Sequence, residues 1–148
     1  MTELISDQQL ALNRSLHQQD PAFGSRDAAS GVAHRLPLAL KRMNENGLCS
    51  NVLDYGTGKG LLVERLRREL PDSISVTGYD PAVEAWSAKP KGPYDILTCL
   101  DVLEHVEIDS IDATLQDIQS LTKLFCYVVF DLQPAVKRLA DGRNAHIL

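Results

Sequence analysis

The stretch Val52-Leu53-Asp54-Tyr55-Gly56-Thr57-Gly58-Lys59-Gly60 puts an acid and three alternate glycines where an apolar run gives way to a helical one. Residues without Cβ atoms let a turn tighten and a ligand approach the backbone, so Gly56 and Gly58 suit a binding loop. Gly60 then lets the helix that follows lie close to a sheet. Twenty residues on, Asp80 closes a β-branched run. A carboxylate at such a strand tip can accept both hydroxyls of a ribose. Farther along, Asp101, Glu104 and His105 stand at i, i+3 and i+4, on one face if the segment is helical. Two carboxylates and an imidazole there could bind a divalent metal, or His105 could serve as general base toward an acceptor proton. A structural use of the same residues is the competing expectation.

Spacing separates the cofactor classes that use glycine loops. A dinucleotide site wants GxGxxG with a helix N-terminus facing pyrophosphate; here the spacing is GxGxG. A phosphate loop wants GxxxxGK[ST], but Leu53 stands five positions before Gly58 and Gly60 replaces the hydroxyl residue. Asp54 lies two residues ahead of Gly56, where it would repel a pyrophosphate. The ammonium and sulfonium of S-adenosylmethionine (SAM) would be attracted instead. A nicotinamide-dependent reductase is therefore the weaker alternative.

The elements that must position these residues follow from periodicity. Residues 2 to 19 carry Leu4, Ile5, Leu10, Leu12 and Leu16 at loosely helical spacing, with Thr2 as N-cap, and 21 to 31 read as a loop. A second helix begins near Leu36, because Pro37 is tolerated only in a first turn, and stops at Asn46-Gly47. Apolar runs at 52–55, 73–80, 94–102 and 123–132 read as strands. Between them come a helix at 61–70, ended by Pro71, and one whose stripe is Ile111, Leu115, Ile118 and Leu121. Strands alternating with helices predict an α/β domain: a doubly wound, mainly parallel, Rossmann-like sheet of four to five strands with helices on both faces. The expected organisation is a single domain over 1–148, with a helical segment at 1–48 and the α/β core at 49–148.

At 148 residues the chain suffices for one core. Its net charge of −5 provides no broad cationic surface, which disfavours nucleic acid as partner without excluding it. No apolar run approaches the roughly 20 residues that span a bilayer. The first twenty residues lack the cationic and apolar regions of a signal peptide. Cys49, Cys99 and Cys126 form no CxxC pair, and Cys99 and Cys126 read as reduced core thiols within strands. A cytoplasmic protein of bacterial or phage type is expected.

VLDYGTGKG, VTGYDPA and YDILTCLDVLEHV, in that order, resemble three motifs of class I SAM-dependent methyltransferases, and the likeness runs over roughly residues 50 to 146. The resemblance implies that Asp54, Tyr55, Gly56, Gly58 and Gly60 form the cofactor loop around the methionine half, and that Asp80 holds the ribose. It implies that Pro81 and Leu100 flank the adenine, with Asp101 near the sulfonium. DVLEH is also similar to the metal motif of RNA 2′-O-methyltransferases and ubiquinone-pathway O-methyltransferases. That likeness implies a metal set of Asp101, Glu104, His105 and the later His146. Catalysis is expected from Asp101 and His105, and the acceptor is expected to be an oxygen of a small molecule or saccharide. A non-catalytic SAM-binding protein is the rival.

Members usually have a helix and a strand between the ribose acid and the next motif, whereas PAVEAWSAKPKGP (81–93) is too short for both. The four strands are then expected in the order second, first, third, fourth, with Trp86 either walling the adenine or packing in the core or at the sheet edge. A sheet so reduced could bury its edge in a homodimer. Arg143 of DGRNAH is read either as a ligand for an anionic acceptor or as a solvated loop residue. No Asn-Pro-Pro-Tyr and no Pro-Cys pair occurs, which disfavours methylation of DNA bases.

Overall fold

The computed structural model describes residues 3–25 and 31–148, and of Val32 only the backbone. Four parallel strands run β1 (Asn51–Tyr55), β2 (Ser75–Tyr79), β3 (Tyr94–Leu100) and β4 (Thr122–Val129), in the spatial order β2-β1-β3-β4. The helices are α1 (Asp7–Gln19), α2 (Leu36–Glu45), α3 (Leu61–Glu69) and α4 (Ile111–Leu121). This is the doubly wound Rossmann-like sheet that alternating apolar strands and amphipathic helices imply. Residues 81–93 hold one short 3₁₀ turn, Glu84–Trp86, and no helix or strand.

Period-two alternation assigns each strand residue to a face. Val52, Val76 and Ile96 pack with Leu36 and Leu40 of α2 and Leu62, Val63 and Leu66 of α3. Leu53, Tyr55, Leu97 and Cys99 pack on the opposite side with Ile118 and Leu121 of α4. β3 is buried along its whole length, as a central parallel strand should be. β4 departs from the expectation of two covered faces. As the edge strand it leaves Leu124, Phe125 and Tyr127 exposed, and Phe125 and Tyr127 border an apolar groove beside α2. Cys126 is accordingly exposed rather than a core thiol, while Cys49 and Cys99 are buried.

Two helix boundaries are set by local chemistry. Gly47 ends α2 in the left-handed region at φ 72°, with Pro37 in the first turn. The cap of α1 is not Thr2, which lies outside the described residues, but Ser6, whose Oγ accepts the Gln9 N–H at 3.1 Å. Ser6 also donates from N and Oγ to the Glu107 carboxylate at 2.8 Å each, tying the start of α1 to the segment between β3 and α4. Leu4 and Ile5 therefore precede the helix and line a cavity.

Asp95 fastens the opposite end of the sheet. Its Oδ2 accepts from Ser50 N and Oγ at 2.8 and 2.7 Å, and its Oδ1 from Lys123 Nζ at 2.8 Å. Lys123 first, then Ser50, holds the carboxyl well below the usual carboxylate range. Because Lys123 is more than half exposed, water screens that pair and the Ser50 bonds matter more. Asp95→Ala should cost about 1–3 kcal/mol at neutral pH, read from urea unfolding. Since the folded-state pKa is depressed, this contribution is present above the ordinary value of 3.8 and disappears as pH falls below it. An equal stability difference at pH 7 and pH 2.5 would rule the account out.

Candidate functional site

The carboxyl ends of β1, β2 and β3 open into one crevice, where an open α/β sheet places its ligands. β1 turns there through three glycines, all with positive φ: Gly56 at 77°, Gly58 at 57° and Gly60 at 79°. Only glycine enters this region without strain. Asp80 is buried opposite the turn, its Oδ2 accepting the Gly58 N–H and its Oδ1 the Ala82 N–H, each at 2.9 Å. Each oxygen keeps a lone pair for a further donor.

α1 and residues 20–25 roof this crevice, a placement the sequence pattern did not indicate. Lys59 fastens the roof. Its Nζ donates to the carbonyls of Asp20, Pro21 and Phe23 at 2.8, 3.0 and 2.6 Å, and its backbone N–H to Gly24 O at 2.7 Å. Leu16 of α1 packs with Leu139 and Ala145, and Lys137 pairs with Asp20 at 2.8 Å. Lys59, which follows Gly58 in the glycine loop, is thus spent on backbone carbonyls, with a donor for each of three acceptors.

Two cavities result. The first, about 130 Å³, is bordered by His17, Phe23, Gly56, Gly58, Asp80 and Pro81, among others. The second, about 610 Å³, is bordered by Asp54, Leu100, Asp131, Val136 and His146, among others. Phe23, Gly24, Gly56, Asp101 and His105 line both. Asp101 sits at this junction with φ 55°, a left-handed conformation that aspartate tolerates better than most residues. Its N–H donates to Val129 O at 2.7 Å, so β4 holds the strained tip in place.

Asp54 is buried beside the turn, its Oδ1 accepting from Thr98 Oγ1 at 2.7 Å. Tyr55 is buried, its hydroxyl donating to Asp117 of α4 at 3.1 Å, and burial pushes the phenol far above its usual range. The His105 Nδ1 lies 2.7 Å from Ala145 O, and the His146 Nδ1 lies 2.6 Å from Gln133 O. Carbonyls only accept, so both imidazoles carry Nδ1–H and expose an Nε2 lone pair when neutral. Burial pushes His105 below the usual imidazole range, favouring the neutral ring. Burial likewise lowers His17.

A family model described as "Methyltransferase domain" matches residues 23–146. The chain belongs to this methyltransferase family. Among curated relatives, the "Ubiquinone biosynthesis O-methyltransferase" of Escherichia coli O157:H7 is 35% identical over 98 residues, covering 49% of this chain and 41% of the relative. The same-named protein of Escherichia fergusonii shows the same figures. The chain thus matches about two fifths of the length of these relatives. Two solved structures titled "DhpI-SAM-HEP complex" and "DhpI-SAH complex structure" are 19% and 21% identical, with TM-scores of 0.47 and 0.48. They cover 97% and 92% of this chain, and 81% and 75% of theirs.

Within this methyltransferase domain the residues singled out in the motifs have the following surroundings. Gly60 borders neither cavity; a Cβ there would come no farther than 2.6 Å from three indole atoms of Trp86. Trp86 in turn covers Gly60 and Gly78 and stacks under Arg67 at 5.7 Å, so it packs on the sheet edge and borders neither of these two cavities. Leu100 faces the α2–α3 side of the sheet by strand alternation and borders the second cavity. Ala82 and Val102 accompany Pro81 in the first. Of the four residues expected as metal ligands, Glu104, His105 and His146 offer ligand atoms within 4.8 Å of one another. The left-handed turn at Asp101 ends the strand, and Leu103–His105 form a 3₁₀ turn, so the helical i, i+3, i+4 face is not built. Arg143 is occupied by Asp141 Oδ2 at 2.7 Å and Gln9 Oε1 at 3.2 Å, and borders neither cavity.

Proposed function

We propose that this chain binds SAM at the glycine turn and transfers its methyl group to a hydroxyl of a small molecule in the second cavity. The observation that carries the reading is the shared wall: Gly56, Asp101 and His105 border both cavities. A methyl group at that junction would be reachable from either side. Asp54 and Asp80 supply negative charge around a cationic ligand, and Asp80 keeps lone pairs for a ribose diol. A cavity of about 610 Å³ is of small-molecule size, and the net charge of −5 gives a polyanion little reason to dock. The curated relatives are named O-methyltransferases, which agrees with an oxygen acceptor.

The step is an in-line displacement. The acceptor oxygen forms its bond to the methyl carbon as the carbon–sulfur bond breaks. The electron pair returns to sulfur, giving S-adenosylhomocysteine (SAH), and the hydroxyl proton passes to His105 Nε2. Positioning within a roofed crevice supplies most of the acceleration. Calorimetry with SAM, SAH and NADH tests the cofactor, and SAH release with a panel of phenols and sugars tests the acceptor. NADH binding in place of SAM would overturn the reading, while SAM binding without turnover on any hydroxyl would favour a non-catalytic binding protein.

A metal-assisted form is the second reading, favoured by one orphaned atom. Glu104 Oε1 accepts the Asp131 N–H at 3.0 Å, but its buried Oε2 has no hydrogen-bond partner among the described residues. A buried carboxylate oxygen left so is costly unless a cation completes it. Two imidazoles oriented through Nδ1 and one carboxylate make a fitting donor set for a divalent ion. Such an ion would lower the pKa of the acceptor hydroxyl. An RNA 3′-terminal ribose would offer the same hydroxyl chemistry. Zinc or manganese titrated calorimetrically into the protein is expected to bind, and His146→Ala to weaken that binding at least tenfold. Absence of heat with both ions would remove this reading.

A further inference from the structure

His17 lies in the last turn of α1, in the roof rather than in any sheet motif, and its side chain is 11% exposed. The ring packs on Phe23, centroid to centroid at 4.6 Å and tilted by 59°. It also lies so close under Gly24 that a Cβ there would fall within 2.8 Å of His17 Nδ1. Held between these two, it presents Nε2 at 4.0 Å from Asp80 Oδ2 across the first cavity. That gap is too long for a direct hydrogen bond and suits one oxygen bonded to both groups.

We propose that His17 is a ligand-binding residue that completes the ribose grip from the roof, its Nε2–H donating to the hydroxyl oxygen that donates to Asp80 Oδ2. Asp80 Oδ1 remains for the second hydroxyl. The inference rests on the SAM-binding reading above and extends it, because it makes the roof part of the recognition of the nucleoside. One hydroxyl is then held by two elements distant in sequence, α1 and β2. Losing one such hydrogen bond corresponds to roughly a tenfold change in affinity.

The test is a calorimetric comparison of SAH with its 2′-deoxy and 3′-deoxy forms on the unaltered chain, His17→Ala and His17→Gln. His17→Ala should weaken SAH about tenfold and leave the affinity of one deoxy form unchanged. His17→Gln, which keeps an N–H donor, should recover part of the loss. An equal penalty for all three ligands in either variant would make His17 a packing residue and overturn the proposal, as would unchanged SAH binding by His17→Ala. If His17→Ala fails to fold, the same comparison on His17→Gln decides. Absence of SAH binding by the unaltered chain would instead sink the SAM-binding reading itself, and this inference with it.

Discussion

Asp80→Ala is expected to weaken SAH binding by roughly 10²-fold, measured by calorimetry. The carboxylate has two tasks, each traceable to a bond. It orders the crevice by accepting the Gly58 and Ala82 N–H groups at 2.9 Å. Its remaining lone pairs are the acceptors a ribose diol would use. Hydrogen bonds to a charged acceptor contribute about 1.5–3 kcal/mol each, and that interval spans roughly 10- to 150-fold in affinity. Asp80→Asn should fall between, since an amide offers one acceptor oxygen where the carboxylate offers two. If Asp80→Ala binds SAH as tightly as the unaltered chain, the ribose is held somewhere else.

Gly58→Ala should be as damaging, for a reason in the roof and not in the ligand. A Cβ at Gly58 would come no farther than 2.9 Å from the Cα, carbonyl carbon and oxygen of Gly24. Backbone cannot swing aside as a flexible side chain can. That stretch is also pinned, by the Lys59 N–H on Gly24 O and by Lys59 Nζ on three neighbouring carbonyls. The substitution must therefore lift the roof as well as bear the cost of a left-handed alanine at φ 57°, itself about 1–2 kcal/mol. Gly142→Ala isolates the second cost, because Gly142 has φ 87° and open space where a Cβ would go. We expect Gly142→Ala to lower stability slightly and leave SAH affinity intact, and Gly58→Ala to reduce affinity by about 10²-fold or more. Equal effects in the two variants would show that the roof contact is irrelevant to binding.

Much of the framework was legible because local patterns dictate it. Alternating apolar residues in VLDY and YDILTCL, the Pro37 start and Gly47 stop of α2, and the short 81–93 connection each act within a few residues. They yield the strands and helices, while the order β2-β1-β3-β4 was expected from the family resemblance. The glycine spacing and Asp80 marked the crevice for the same reason: steric freedom and a strand-tip carboxylate are properties of single positions.

What the pattern left open was decided by contacts between segments far apart in the chain. Asp101, Glu104 and His105 would share a face on a helix, but a left-handed residue and a 3₁₀ turn redirect them, and Glu104 and His105 converge with His146 instead. Trp86 is drawn over Gly60 and Gly78, spaces that exist only once α3 and β2 are side by side. Cys126 reads as interior because β4 is apolar, yet no element covers that edge among the described residues. His17, Phe23 and Lys59 gained their places through the packing of α1 across the strand ends, and no periodicity records it. The α/β class and the binding turn are readable in the residues, since they follow from steric and hydrophobic rules that act locally. Which side chains meet in the crevice depends on distances set by the whole packed chain.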